Sequence, residues 1–416
     1  MRTVRQAAEE IVGATPVLGA ERIPLRDALG RVLAEDVIAP LDLPPWNNAS
    51  MDGYALQAAD VETASRASPA TFRVIGTIGA GASAGRFVGS GEAYRIMTGA
   101  PVPPGADSVI RVEDTDAGVE RVRVFDPRDA RRNIRPRGED LALGALAVSK
   151  GTRLGAGHVG VLASIGRSAI AVHRRPRVAI LATGDELVDL DQFEAVLRGQ
   201  RIVTSNSYTI EAAVRSAGGV PIPLGIARDD PEAIAARILG APQHDLLVTS
   251  GGVSVGEYDH TRRVIERVGG ELRFWKVKIR PGAPLAFGRL RGALWLGLPG
   301  NSVSTMVTFE LFARPMILRM QGMTRVFPQA LRVRTGERLT VAPALMHFLR
   351  AVVTPAADGV FEARLTGSQS SGLLTSMARA NALLVVAEDR TVVEAGEFLH
   401  ALLLGEDALL AEQISF

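Results

Sequence analysis

The chain has 416 residues of which 47% are apolar, enough to bury extended cores and to exclude wholesale disorder. Its 47 Lys and Arg stand against 45 Asp and Glu, and only 5% of residues are aromatic. That balance excludes bulk attraction to nucleic acid or anionic membrane, and also a base-stacking platform. There is no cysteine, so no disulfide, zinc-thiolate site or iron–sulfur cluster can form. No run of about 18 apolar residues exists to span a bilayer, and residues 1–10 lack an apolar signal core. A soluble cytoplasmic protein of about two to four domains is expected, with no nucleic-acid and no membrane partner.

Residues 3–15 carry apolar side chains at helical spacing (Val4, Ala7, Ala8, Ile11, Val12) and stop at Gly13 and Pro16, which predicts a helix. A second helix is expected over 25–33. Pro40, Pro44 and Pro45 then force an extended connection. From 51 to about 138, short strands (72–75, 93–96, 108–112, 119–124) are broken by Gly, Pro and Asp, the pattern of a small β-rich domain. Residues 141–167 return to helix and turn. Within them, GAGHVG at 155–160 matches the dinucleotide fingerprint in letters only. No acidic residue follows about 20 positions later and no βαβ frame surrounds it.

The middle of the chain alternates apolar strands (177–182, 201–203, 220–224, 246–249, 285–287, 294–296) with helices (208–217, 230–239, 261–268, 302–320). That alternation predicts a largely parallel sheet covered on both faces, which binds ligands beyond the carboxyl ends of its strands. From about 324 the pattern returns to short strands, a second small β domain.

Three polar, Gly-rich turns lie where middle strands should end. RVAILA runs into Thr183, Gly184, Asp185 and Glu186. LLVTS runs into Ser250, Gly251, Gly252 and Val253, with Asp259 following. LWLGL runs into Pro299, Gly300, Asn301 and Ser302 at the start of a long helix. Any one such turn reads most simply as a tight connection. Three on one strand-end face point to backbone amides aimed at an anion, with Asp185, Glu186 and Asp259 able to hold magnesium. Lys276, Lys278 and Arg280 alternate, so in an extended segment they share one side and suit a phosphate or oxyanion. PPWNNASMDGYA and IMTGAPVPPGAD, in the first β region, are structural or ligand-facing loops.

Taken together these segments resemble the MoeA family, the molybdopterin molybdenumtransferases, which include the gephyrin E domain. The matching stretches are PPWNNASMDGYA, RIMTGAPVPPGAD, RPRGED, VAILATGDEL, RDDPE, TSGGVSVGEYD, FWKVKIRPGAPLAFG, LPGNSVSTMVTFE and QSSGLLTSMARANALLVV, in family order over nearly the whole chain. The resemblance implies a multidomain α/β plus β fold. Residues 1–50 and 139–172 would form an N-terminal linker and dimer domain, with a β domain inserted at 51–138. A MogA-like three-layer α/β molybdopterin-binding domain would span 173–326, and a β-barrel-like domain 327–416. It also implies a homodimer in which Asp52, Thr98, Arg137 and Asp140 serve catalysis opposite the partner's α/β turns.

The implied reaction inserts molybdate into adenylated molybdopterin and releases AMP, the last step of molybdenum cofactor assembly. In that reading Asp185, Glu186 and Asp259, with Asp229 beside them, hold Mg2+. Ser250, Gly251, Gly252 and Val253 cradle phosphate, and Lys276, Lys278 and Arg280 offset charge. Arg350 and Ser371 align with family positions implicated in molybdate binding. A molybdopterin adenylyltransferase and recipient molybdoenzymes are the implied partners. A protein without cysteine offers no thiolate to rival the dithiolene. Two departures touch the anion site: the family's IKPGKP is Ile279, Arg280, Pro281, Gly282, Ala283 and Pro284, and its GNP is Gly300, Asn301 and Ser302. They leave open a tungstate-handling paralogue. A non-catalytic cofactor scaffold is the other alternative.

Overall fold

The computed structural model describes residues 1–252, 260–405 and 407–410. They divide into two compact units: Met1–Glu21, Gly30–Ala34 and Ala171–Phe416 form one, Arg22–Leu29 and Glu35–Ile170 the other. The larger unit begins with α1 (Val4–Ala14). Thr3 Oγ1 accepts the Gln6 N–H at 3.2 Å while the Gln6 side chain accepts the Thr3 N–H at 3.0 Å, which satisfies two amides that the helix start leaves without partners. Ala7 and Ile11 form its buried stripe.

The smaller unit is built on β1 (Gly53–Leu56), β2 (Ala70–Ile78), β3 (Glu92–Ile96), β4 (Ser108–Arg111) and β5 (Arg121–Val124), in spatial order β4-β1-β3-β2-β5. Alternate residues pack into two cores: Tyr54, Leu56 and Phe72 into one, Ala55, Ile78 and Ile96 into the other. The GAGHVG segment falls on α2 (Ala156–Ser164), where Gly155 N–H donates to His158 Nδ1 at 3.0 Å. The strand before it, Leu146–Val148, pairs antiparallel with Val37–Ile38, so no βαβ frame is present. The helix expected over 25–33 is reduced to a single 3-10 turn, Leu25–Asp27. Gly30 is left-handed, at φ +73°, and turns the chain out of helical geometry.

In the larger unit, β6 (Arg177–Thr183), α3 (Ser205–Ser216), β7 (Val220–Ala227), α4 (Pro231–Leu239), β8 (Leu246–Ser250), α5 (His260–Arg267), β9 (Glu271–Lys276), β10 (Pro284–Leu290) and β11 (Ala293–Leu298) follow in order. The sheet runs β7-β6-β8-β11-β10-β9. Val178, Ile180, Val248 and Leu296 join α1 and α3 on one face, while Ala179, Leu181, Leu247 and Trp295 meet α4 and α5 on the other. The result is the three-layer α/β arrangement that the alternating pattern predicts.

Three details differ from the sequence expectation. β10 runs antiparallel to β11, because only Arg291 and Gly292 connect them, both at positive φ (49° and 88°). A two-residue loop can only reverse the chain. Residues Ile202–Val203 pair with Leu187–Val188 beside the main sheet instead of joining it. The long helix is divided into α6 (Ser302–Thr308), a π turn over Phe309–Ala313 and α7 (Arg314–Met320). Pro315 has no N–H to continue the ladder, and the π offset absorbs the loss.

The last domain is β12 (Ala330–Thr335), β13 (Met346–Pro355), β14 (Phe361–Leu365), β15 (Ala382–Val386) and β16 (Phe398–Leu403). The order β13-β14-β12-β16-β15 closes on itself through β13 and β15, forming a five-stranded barrel around Val333, Ala351, Val353, Leu384 and Ala401. Closure leaves no unpaired edge within the ring. Phe287 of β10 is fully buried in the α1-side core. Phe287→Ala should therefore cost about 3–5 kcal/mol in urea unfolding, since truncation removes ring contacts and leaves a void. A loss below about 1 kcal/mol would show that this face of the sheet is not a packed core.

Candidate functional site

Four strand ends of the central sheet lie level. Thr183 pairs with Ala227, Ala182 with Ser250, and Ser250 with Leu298. The chain leaves all four strands at the same edge, and a cleft of about 470 Å³ opens there. Thr183, Glu186, Asp229, Ser250, Gly251, Gly252, Pro299, Gly300, Asn301 and Ser302 line it. Of the candidates over the turns 183–186, 250–252 and 299–302, all but Gly184 and Asp185 line this one cleft. Val253 and Asp259 lie outside the described residues.

Close approach explains the glycines. Gly251 has φ +92° and a Cβ on it would lie 2.6 Å from the Thr183 carbonyl oxygen. Gly252 has φ +64° and its Cβ would lie 2.2 Å from Thr261 Oγ1. The hydroxyls of Thr183 and Thr261 are buried and have no hydrogen-bond partner among the described residues. A buried hydroxyl without a partner costs free energy that a ligand oxygen or a water recovers. Asp185 and Glu186 are exposed, and Asp185 Oδ1 accepts the Asp229 N–H at 3.2 Å. Glu186 and Asp229 reach the cleft, whereas Asp185 is not among its lining residues. Among the described residues no three acidic or histidine side chains converge on a metal-sized point.

The segment of three alternating cations passes from one sheet to the other. Lys276 ends β9, while Ile279–Arg280 pairs in parallel with Met346 and His347 of β13. Val277 and Ile279 are buried, Lys276 and Lys278 are half-buried and Arg280 is exposed. The chain bends at Lys278, where the Ile279 N–H donates to the Val277 carbonyl at 2.9 Å, so the extended run that the alternation assumed is interrupted. Arg280 lines a second cavity of about 360 Å³ with Arg338, His347 and Arg350 and, among the described residues, no carboxylate. Arg350 is wholly buried. Its Nε donates to Ser376 Oγ at 3.0 Å, and its terminal nitrogens donate to the carbonyls of Gln369 at 3.1 Å, Ser368 at 3.2 Å and Ser370 at 2.9 Å. Burial lowers the pKa of that guanidinium and of the His347 imidazole. Arg350 thus organises the 368–370 loop. Ser371, the next residue, turns toward the first cleft: its hydroxyl accepts from Asn301 Nδ2 at 3.1 Å and its carbonyl from the Val303 N–H at 3.1 Å.

In the smaller unit, three of the unusual motifs are stitched together. Gly99 N–H donates to the Ala49 carbonyl at 2.8 Å, and Val102 N–H to that of Asn47 at 2.9 Å. Arg137 N–H donates to Asn47 Oδ1 at 2.7 Å. Asp52 accepts from both Thr98 Oγ1 and Thr98 N at 2.7 Å, and those donors, the hydroxyl first, hold its carboxyl below the usual range. Arg137 Nε donates to Asp42 at 2.6 Å, while exposed Asp140 donates its N–H to the Leu43 carbonyl at 2.9 Å. Sequence reasoning missed Asp42 as the partner of Arg137. It also missed Thr204, Ser205 and Asn206, which line the first cleft from the start of α3. The hydroxyl- and amide-rich string TSNS at 204–207, just before a helix, was the available signal.

Residues 2–166 match the MoeA N-terminal region (domain I and II), 179–319 a probable molybdopterin binding domain, and 332–404 the MoeA C-terminal region (domain IV). Molybdopterin molybdenumtransferases of Nostoc sp. and Haemophilus influenzae are each 34% identical to the chain, covering 95% of it and 92% and 97% of their own lengths. The chain belongs to the MoeA family. It is a transferase-class enzyme of molybdenum cofactor biosynthesis. Two solved MoeA structures from Pyrococcus horikoshii superpose with TM-scores of 0.80 and 0.84 at 32% and 28% identity. They cover 96% and 97% of the chain and 98% and 100% of their own. No helix among the described residues of this MoeA protein is long and apolar enough to cross a membrane.

The Asp52 geometry yields a titration experiment. Thr98→Val removes the largest of the interactions that lower the Asp52 pKa, so that pKa should rise toward the ordinary carboxylate value of about 3.9. Carbon-13 NMR titration of labelled Asp side chains reads the shift. An unchanged Asp52 titration would mean that the hydroxyl does not reach it. Gly251→Ala should destabilise the protein by about 1–3 kcal/mol through its left-handed φ and the collision with Thr183, measured by chemical denaturation.

Proposed function

We propose that this chain inserts molybdate into adenylated molybdopterin and releases AMP. The convergence of the 183–186, 250–252 and 299–302 turns on one cleft supports this reading most directly. Gly251 and Gly252 let backbone approach a pyrophosphate, and the Thr183 and Thr261 hydroxyls, without a partner among the described residues, lie beside them. The carboxylate oxygens of Glu186 and Asp229 are hard donors fitted to Mg2+, which takes one or two carboxylates together with phosphate oxygens, and Asp185 and Asp259 complete the proposed set. Bound there, Mg2+ would polarise the pyrophosphate bond.

The chain's own groups bind and orient. Lys276 and Lys278 offset charge on the phosphates. The second cavity, with Arg280 and Arg350 and no carboxylate among the described residues, suits a dianion such as molybdate. The two dithiolene thiols replace one oxygen of molybdate, which leaves as water with their two protons, and a second water adds across the pyrophosphate bond to give AMP and the pterin with its terminal phosphate. A homodimer is part of the proposal, as are an adenylyltransferase donor and molybdoenzyme recipients.

Mixing purified protein with adenylated molybdopterin, Mg2+ and molybdate should release AMP in step with molybdenum incorporation. Pterin held without AMP release would favour the scaffold alternative, and a clear preference in a parallel tungstate arm the tungstate one. Mixing Asp52→Ala with Glu186→Ala subunits should restore part of the activity that each lacks alone, as shared sites in a dimer require. A fully active monomer overturns that arrangement. Arg350→Ala should raise the molybdate concentration for half-maximal insertion at least tenfold, about 1.4 kcal/mol, with little change in pterin affinity. If pterin affinity falls while molybdate dependence stays fixed, Arg350 belongs to the pterin site.

A further inference from the structure

Asn206 stands in the first turn of α3, and its amide group reaches two strand-end turns at once. It donates one N–H to Ser250 Oγ at 2.9 Å and the other to the Gly300 carbonyl at 2.7 Å. Chemistry fixes the orientation of the amide. A carbonyl only accepts, so the nitrogen and not the oxygen must face Gly300. The helix that carries Asn206 is itself anchored, with Ile210 and Val214 fully buried in the sheet core.

The sheet does not hold these turns by itself. Its last bond between them is Gly251 N–H to the Leu298 carbonyl at 3.2 Å. Beyond it the chain passes through Gly251 and Gly252, both at positive φ, and through Gly300, whose Cβ position is 3.7 Å from Gly251 Cα. Glycine backbone has many accessible states and loses the most freedom when ordered. A side chain from a rigid helix that bonds both turns selects one of those states.

We propose that Asn206 is a positioning residue of the cleft, holding the 250–252 and 299–301 turns at the separation that receives an adenylated pterin. This rests on the reaction proposed above. Asn206→Asp keeps the shape but sets an oxygen against the Gly300 carbonyl. Asn206→Ala removes the tie without adding charge.

The test measures three quantities in both variants: the affinity for adenylated molybdopterin, the turnover at saturation, and amide hydrogen exchange without ligand. Affinity should fall at least tenfold in both variants, while saturated turnover changes less than threefold and the melting temperature moves by no more than about 3 °C. Exchange should quicken at Gly251 and at the amides of 300–302, and stay slow within β8. Quickened exchange with unchanged affinity overturns the positioning role. So does an affinity loss that follows a large fall in melting temperature. Unchanged exchange overturns the tie itself. If the unsubstituted protein neither binds adenylated molybdopterin nor releases AMP, the reaction proposal falls, and exchange alone decides whether Asn206 ties the turns.

Discussion

The parallel register of β6, β8 and β11 is the constraint on which the candidate site depends. Ala182 stands beside Ser250 and Ser250 beside Leu298, so three glycine-bearing turns start from one line. A slip of one residue in any pair would turn buried Val248 or Leu296 toward the wrong helical layer. The two apolar cores therefore hold the polar edge in place. Binding geometry at the turns comes from packing energy spent well below them.

The barrel shows a different economy. Arg350 is a buried cation with no acidic partner among the described residues, and a lone buried charge is costly. Four hydrogen bonds, three of them to carbonyls of one short loop, satisfy it instead. The loop gains rigidity, and its next residue, Ser371, meets Asn301 at the start of α6. Asn301 adjoins Gly300, which Asn206 binds in turn. A run of hydrogen bonds thus connects the cation in the barrel to the strand-end turns. Two cavities that line different domains share one supporting framework.

Absence of cysteine has a physical meaning in a MoeA protein. In the proposed reaction molybdenum passes to two substrate sulfurs, and a protein thiolate would compete with them. Oxygen donors, amides and guanidinium groups bind phosphate and molybdate without that competition.

Local chemistry made much of this legible from the sequence. Apolar runs of strand length alternating with helical segments establish the three-layer domain, and Gly-rich turns at their ends mark the cleft. The helix expected over 25–33 failed because periodicity ignored the left-handed Gly30. The antiparallel hairpin at Arg291 and Gly292 was missed because one glycine in a short loop is a weak mark. Residues 202–203 looked like any other strand, and only pairing partners distant in sequence place them beside the sheet. What the sequence determined by itself was the family, the layer order and the kinds of side chain available for anion chemistry. Tertiary structure alone decided that Arg350 points into its own loop, that Ser371 joins Asn301, and that Asn206 binds two turns from a helix. Those are contacts between segments far apart in the chain, and no local pattern encodes a distance across the fold.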